Sequence, residues 1–192
     1  MFGIANVFTI NPDTTCFLSL LFTFISVTNK QSYTVEEARH KLEHFCAYRE
    51  RCHKEVVAKL MEMNMIPLAI DTIVVHLISH GFLHEERFAR SFARGKFRVK
   101  KWGKQRIVRA LQLRDISAPN IREALKEIPE EEYLDTLHEI AEKRWQQLAG
   151  TQDASKNKRE IWFRNKKKLA DYLLYRGWES HLVYEKVNEL AG

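Results

Sequence analysis

A hydrophobic pattern that occurs three times along the 192-residue chain constrains its fold more than any other feature of the sequence. In each copy a leucine is followed by apolar residues at four fixed spacings, and the copies are offset by 51 and then 62 residues. The last three positions of each copy have the spacing i, i+4, i+7, which places them on one face of a helix. The three sets are Leu60, Met65, Ile70, Val74 and Leu77; Leu111, Ile116, Ile121, Leu125 and Ile128; and Leu173, Trp178, Val183, Val187 and Leu190. Repeat periods of this length are typical of multi-helix modules.

Helix-terminus signals indicate three helices in the first copy. Residues 34–37 form a capping box, which predicts a helix that runs to about residue 48. A second helix is predicted over about 52–64, and a third from Pro67 to Gly81, since proline suits a first turn and glycine a C-terminal cap. The apolar positions expected to face the core from the first helix are Ala38, Leu42, Phe45 and Tyr48.

The alignment also predicts where the second helix of each copy begins. Cys52, Gly103 and Asn165 occupy equivalent positions at these expected starts. Glycine and asparagine are good N-cap residues, whereas cysteine is a poor one. The third copy is 11 residues longer than the second, and the polar stretch 150–155 is interpreted as a loop that holds the insertion.

These observations predict an all-α protein of three tandem three-helix repeats, forming an elongated, curved helical array. The repeats are expected at 34–81, 82–129 and 130–192. The low content of turn-forming residues, 7 Gly and 4 Pro, agrees with a helical chain.

Residues 1–33 are interpreted as an N-terminal extension outside the repeats. Its first 27 residues hold one charged side chain, Asp13, and residues 16–27 are almost wholly apolar. A signal peptide is one interpretation, but no Lys or Arg precedes the apolar run and no A-x-A site closes it. The run is shorter than the roughly 20 residues that a membrane helix needs. Our hypothesis is a mis-assigned start, with translation beginning near Val27 or slightly later.

The most basic part of the chain is residues 87–114, which contain no acidic residue. Such a run repels itself, so it predicts an acidic partner, either an acidic protein surface or a phosphate backbone. Phe97 and Trp102 are interleaved with the cations, and Arg and Trp are enriched at interface hot spots. The alternative is that Phe88, Phe92, Ile107 and Leu111 face the core while the cations only solvate the other face. The net charge of +6 agrees with either interpretation.

The sequence offers little support for catalysis or for cofactor and metal binding. It contains neither a Walker A motif, nor a GxGxxG fingerprint, nor a GxSxG elbow. His76, His80 and His84 have a ligand-like spacing, but no carboxylate or cysteine completes the set, so a metal site is not expected. Cys46 and Cys52 are expected to be core and cap residues rather than reactive thiols. We therefore expect no enzyme activity.

The order of four short motifs resembles that of the RecX family. They are residues 48–60 (YRERCHKEVVAKL), 80–89 (HGFLHEERFA), 102–111 (WGKQRIVRAL) and 173–178 (LLYRGW). Cys52 stands where the family usually has Ser, Val56 where it usually has Leu, and Glu85 or Glu86 where it usually has Asp. The resemblance covers about residues 34–191.

Three cysteines, an odd number without a CxxC pair, fit a reducing cytoplasm, and a monomer is expected. The resemblance implies a regulatory protein that binds in the groove of the RecA–DNA filament and modulates, chiefly by inhibition, RecA ATPase, strand exchange and co-protease activity. It implies no membrane association and leaves direct DNA contact open. The alternative is a basic helical module that binds nucleic acid without recombinase specificity. The residues expected at the partner-binding surface are Arg49, Arg51, Lys54, Arg87, Arg90, Arg94, Arg98, Lys100, Lys101, Trp102, Lys104, Arg106 and Arg109.

Overall fold

The computed structural model of the protein describes residues 32–150 and 158–191. The proposed N-terminal extension and mis-assigned start therefore lie outside the described residues, apart from residues 32 and 33. The predicted loop lies outside them too, except for Gly150, which is the last residue of a helix.

The described part of the chain contains nine helices and no strand, which confirms the all-α prediction. None of these helices has the length and apolarity needed to cross a membrane. In chain order they are α1 (Val35–Tyr48), α2 (His53–Glu62), α3 (Pro67–Ser79), α4 (Glu85–Lys100), α5 (Lys104–Gln112), α6 (Ala118–Leu125), α7 (Glu130–Gly150), α8 (Lys158–Tyr175) and α9 (Ser180–Ala191).

The helix boundaries follow from the signals in the sequence. The predicted capping box is present: the Thr34 hydroxyl accepts a hydrogen bond from the Glu37 amide, and the Glu37 carboxylate accepts one from the Thr34 amide. Gly81 has a φ of +72° just after α3, where its lack of a Cβ makes the left-handed conformation accessible. Cys52 precedes α2 without a side-chain capping bond, as its chemistry predicts.

Helices pack in consecutive triplets, which we name unit one (α1–α3), unit two (α4–α6) and unit three (α7–α9). The helix pairs that pack most extensively all lie within one triplet. Each triplet contributes its repeat leucine to the interior, since Leu60, Leu111 and Leu173 are all fully buried. The helical repeats are thereby confirmed, while the unit boundaries at 81/82 and 129/130 remain a prediction.

Two expectations from the sequence are wrong. Tyr48 is 86% exposed, because the buried stripe of α1 is Ala38, Leu42 and Cys46, and Tyr48 lies two residues, or about 200°, beyond Cys46. Asn165 does not begin a helix. It is buried inside α8, where its side-chain amide donates to the Leu148 carbonyl at 3.2 Å.

In the described part of the chain, buried side chains form two clusters rather than one for each of the three units. One cluster consists of residues of unit one together with Leu83, which lies between α3 and α4. The other runs continuously through units two and three, and unit one contributes only Cys52 to it. Units two and three therefore share one hydrophobic core, whereas unit one has its own.

Candidate partner-binding surface

Two glycines bring units two and three into backbone contact. The Gly103 amide donates to the Arg176 carbonyl at 2.9 Å, and the Gln105 amide donates to the Gly177 carbonyl at 3.2 Å. The N-terminal amides of α5, which would otherwise lack partners, thus bond to carbonyls just beyond the end of α8. A Cβ at Gly103 would lie 2.2 Å from the Gly177 oxygen, so neither helix end could approach so closely without glycine.

Tyr133 reinforces the same contact. Its hydroxyl accepts a hydrogen bond from the Lys104 amide at 3.0 Å and donates one to the Glu179 carboxylate. Its ring stacks on the fully buried Trp178, with centroids 4.3 Å apart. Burial, followed by the bond to Glu179, raises the pKa of Tyr133, so the phenol stays protonated and keeps its donor. One side chain therefore joins the starts of α5, α7 and α9.

Arg106, a residue expected at the partner-binding surface, takes part in this contact instead of pointing freely into solvent. Its guanidinium lies 4.2 Å from the centroid of the Trp102 ring and 4.7 Å from that of Tyr175. It also donates to the Tyr175 carbonyl at 3.0 Å. These contacts give Arg106 and Trp102 a structural role between units two and three.

Carboxylates from other helices neutralise most of the basic stretch. Arg90 lies within 3.5 Å of Glu86, Glu123 and Glu127, which come from α4 and from α6 and its C-terminal end. Eight of the thirteen candidate residues are paired in this way, at 2.5–3.9 Å, and they are Arg51, Lys54, Arg87, Arg90, Arg94, Arg98, Lys101 and Lys104. Residues 87–114 contain no acidic residue, but in the fold carboxylates from other parts of the chain lie beside most of their cations.

A few cations of the region have no carboxylate within 4.0 Å among the described residues. Besides Arg106, they are Arg49, Lys96, Lys100 and Arg109. Arg109 bonds back to the carbonyl of Gln105 in its own helix at 3.3 Å. Lys96 is absent from the thirteen candidates, and only the geometry of α4 brings it together with Arg49.

Three of these cations, Arg49, Lys96 and Lys100, line one cleft between unit one and α4. The cleft has a volume of about 430 Å³. Its other lining residues are Glu50, Glu55, Phe88, Ser91, Phe92, Gly95, Val99 and Arg114. Glu50 pairs with Arg87, and Glu55 lies 3.8 Å from both Arg51 and Arg114, so the cleft's own acids have internal partners.

The three histidines with ligand-like spacing and the two buried cysteines make contacts within the fold. His76 lies 2.7 Å from Glu43, the His80 ring lies tilted against the His76 ring with centroids 4.0 Å apart, and His84 caps α4 by accepting from the Arg87 amide. No cluster suited to a metal ion occurs in residues 32–150 and 158–191. Burial raises the pKa of Cys46 to about 11 and also raises that of Cys52, so neither thiol is activated.

Parts of the chain are similar to several known proteins. A model of the second three-helix domain of RecX matches residues 85–125, which span α4 to α6. "Regulatory protein RecX" of Lactobacillus gasseri is 33% identical over 91 residues, or 47% of this chain and 34% of the relative. The protein of the same name from Chlorobium phaeobacteroides is 27% identical over 144 residues, or 74% of this chain and 85% of the relative. The chain thus matches about a third of the length of the Lactobacillus relative.

Two crystal structures have the same fold. RecX from Lactobacillus salivarius superposes with a TM-score of 0.66 at 19% identity, over 81% of this chain and 96% of that one. A second regulatory protein RecX gives a TM-score of 0.64 at 16% identity, over 97% of this chain and 81% of that one. The domain match, the relatives and the fold agree with the four motifs in the sequence, and together they support a protein of the RecX family.

Proposed function

We propose that this chain is a regulatory protein that binds the groove of the RecA–DNA filament and inhibits RecA ATPase, strand exchange and co-protease activity. Its action is binding without chemistry of its own, by a monomer in the cytoplasm. The observation that carries the proposal is the combination of the RecX fold with cations that have no carboxylate within 4.0 Å among the described residues.

Multivalency supports a filament as the partner. A helical polymer presents the same surface on each successive protomer, and a chain of repeated units can meet several of them. Weak contacts then add, because the second and third bind at a high effective concentration. The units need not be identical for this, and three cations without a carboxylate within 4.0 Å among the described residues, Arg49, Lys96 and Lys100, line one cleft.

The test is RecA ATPase on single-stranded DNA, titrated with this protein from substoichiometric amounts, together with co-sedimentation on the filament. Loss of ATPase far below saturation would indicate capping or disassembly, and loss only near saturation would indicate groove occupancy. An unchanged ATPase without co-sedimentation would refute the proposal.

Matched substitutions identify the cations that matter. We expect Arg49→Gln, Lys96→Gln and Lys100→Gln together to weaken filament binding at least about tenfold, since charge-assisted contacts to a partner contribute about 1.5–3 kcal/mol each at best. The control removes the same charge at paired positions, with Arg94→Gln, Arg98→Gln and Lys101→Gln, and should lose much less. Equal losses in the two triple variants would show that overall charge, rather than the cleft, governs binding.

The alternative function is a nucleic-acid-binding module without recombinase specificity, and the same cations, which lack a nearby carboxylate in the described part of the chain, favour it. Titration with bare single-stranded DNA at increasing salt separates the two. Tight binding that falls steeply with salt, without a preference for the RecA filament, would favour the alternative.

A further inference from the structure

Three cations that line the cleft between unit one and α4, Arg49, Lys96 and Lys100, have no carboxylate within 4.0 Å among the described residues, unlike other cations of α4. Arg94 and Arg98, which also lie on α4, have carboxylates at 3.1 and 3.4 Å. Lys96 and Lys100 alternate with them on the same helix and have none within 4.0 Å in the described chain. Because i and i+4 are neighbours on a helix surface, Lys96 and Lys100 form an adjacent pair on the side that faces the cleft.

Gly95 is the second independent feature of the cleft. It lies in the interior of a 16-residue helix, where glycine is unfavourable relative to alanine. Packing does not require it, since a Cβ at this position would meet nothing within 4 Å and its φ is not positive. The missing side chain instead leaves open space beside the backbone of α4 at the cleft wall.

The apolar part of the cleft indicates what kind of ligand fits. Val99 is 75% exposed and lines the cleft beside the two lysines. The ring of Phe92 lies 5.1 Å from the Lys96 ammonium and 4.8 Å from the Arg114 guanidinium, so cations of the chain itself already occupy positions over it. Single-stranded nucleic acid is usually held by bases stacked on open aromatic faces, and Phe92 does not present one.

The cations beside the exposed side chain of Val99 complement an acidic peptide that carries an apolar side chain. Carboxylates would pair with Arg49, Lys96 and Lys100, and the apolar group would cover Val99 beside the space at Gly95. Recognition of acidic motifs by clustered cations is a recurring mode of peptide binding. A phosphate backbone would satisfy the charges but leave Val99 exposed.

We propose that this cleft receives an acidic segment of the partner protein that carries an apolar side chain. The inference rests on the proposed function, because the partner protein is the one that forms the filament. It adds which part of the chain makes the contact and which chemistry it recognises.

Site-specific photo-crosslinking tests the proposal. Ser91 lines the cleft, and Ser91→Cys would carry a benzophenone label in a chain that also has Cys16→Ser. Cys46 and Cys52 are buried and would not compete for the reagent. The labelled protein is irradiated on assembled RecA filaments on single-stranded DNA, and the crosslinked product is identified by mass spectrometry.

Each outcome bears on a distinct claim. A crosslink to an acidic protein segment with an apolar residue supports the proposal. A crosslink to DNA, or none although the protein co-sediments with filaments, overturns it and leaves the proposed function standing. A failure to co-sediment would refute the proposed function, and with it this inference.

Substitution of Gly95 gives an independent readout. Gly95→Ala and Gly95→Leu should both raise the thermal midpoint, because both improve helix propensity in open space. Filament affinity should fall slightly for alanine and at least tenfold for leucine, which fills the cleft. A Gly95→Leu variant that is more stable and binds filaments as tightly as the unsubstituted chain would overturn the proposal.

Discussion

The two junctions between the units are built in opposite ways. Unit one meets unit two mainly through charges: Arg87 with Glu50 at 2.5 Å, Lys54 with Asp115 at 2.9 Å, and the longer Arg114–Glu55 pair at 3.8 Å. Units two and three meet through backbone hydrogen bonds, a stacked aromatic pair and a shared core. Exposed ion pairs contribute little and are screened by salt, whereas buried backbone bonds and apolar contacts are not.

Repeats with similar sequences therefore need not be equally stable. Cooperativity in a repeat protein depends on the energy of each interface as well as that of each unit. We infer that units two and three unfold together, and that unit one separates from them at lower cost. The proposed binding cleft lies at the weaker junction.

The largest expected effect is from alanine at the glycine contact. Gly103→Ala would place a methyl group 2.2 Å from the Gly177 oxygen, and Gly177→Ala would place one 2.3 Å from the Arg106 Cβ at a φ of +82°. Each should cost about 3 kcal/mol or more of unfolding free energy, measured by denaturant titration, because overpacking adds to backbone strain. Gly95→Ala is the control, and equal midpoints for Gly103→Ala and Gly95→Ala would contradict the described contact.

A smaller effect is expected from Tyr133→Phe. Removal of the hydroxyl leaves the Lys104 amide and the Glu179 carboxylate without this partner, which should cost about 1–3 kcal/mol. Hydrogen exchange should show faster exchange at Lys104. Tyr184→Phe is the control, since Tyr184 is 54% exposed. Unchanged exchange at Lys104 would mean that water replaces the phenol without loss.

The smallest effect concerns the charged junction. Arg87→Gln removes the pair with Glu50 and a bond to the Gly81 carbonyl, so protection of α1–α3 should fall by about 0.2–1 kcal/mol. Raising the salt to about 1 M, where the Debye length is about 3 Å, should have a similar effect on the unsubstituted chain. Arg122→Gln is a suitable control on α6. The comparison between junctions fails if salt weakens α4–α9 as much as α1–α3.

Local signals in the sequence were sufficient for the helices and most of the repeat. The capping box, Pro67, Gly81 and the repeat leucines act within one or two turns, so their consequences can be deduced without tertiary contacts. Asn165 was misplaced because α8 begins two turns earlier than its counterparts, inside the third unit's longer segment.

The candidate surface was harder to predict because its charges are balanced at long range. The carboxylates that pair with Arg90 and Arg94 come largely from the region of α6, about 33–37 positions along the chain. A charge count along the sequence cannot include such partners. The role of Gly103 as an N-cap was predictable, but its contact with Gly177 requires the packing of two units.

The contact between α5 and the end of α8 also bears on how such chains can gain or lose units. If unit three were deleted, the first amides of α5 would lose the Arg176 and Gly177 carbonyls, and the shared core would be opened to water. Unit three thus acts as an end cap for unit two. Loss or exchange of unit one would disturb chiefly surface charges. Replacement of the first unit should therefore destabilise the rest of the chain less than replacement of the third.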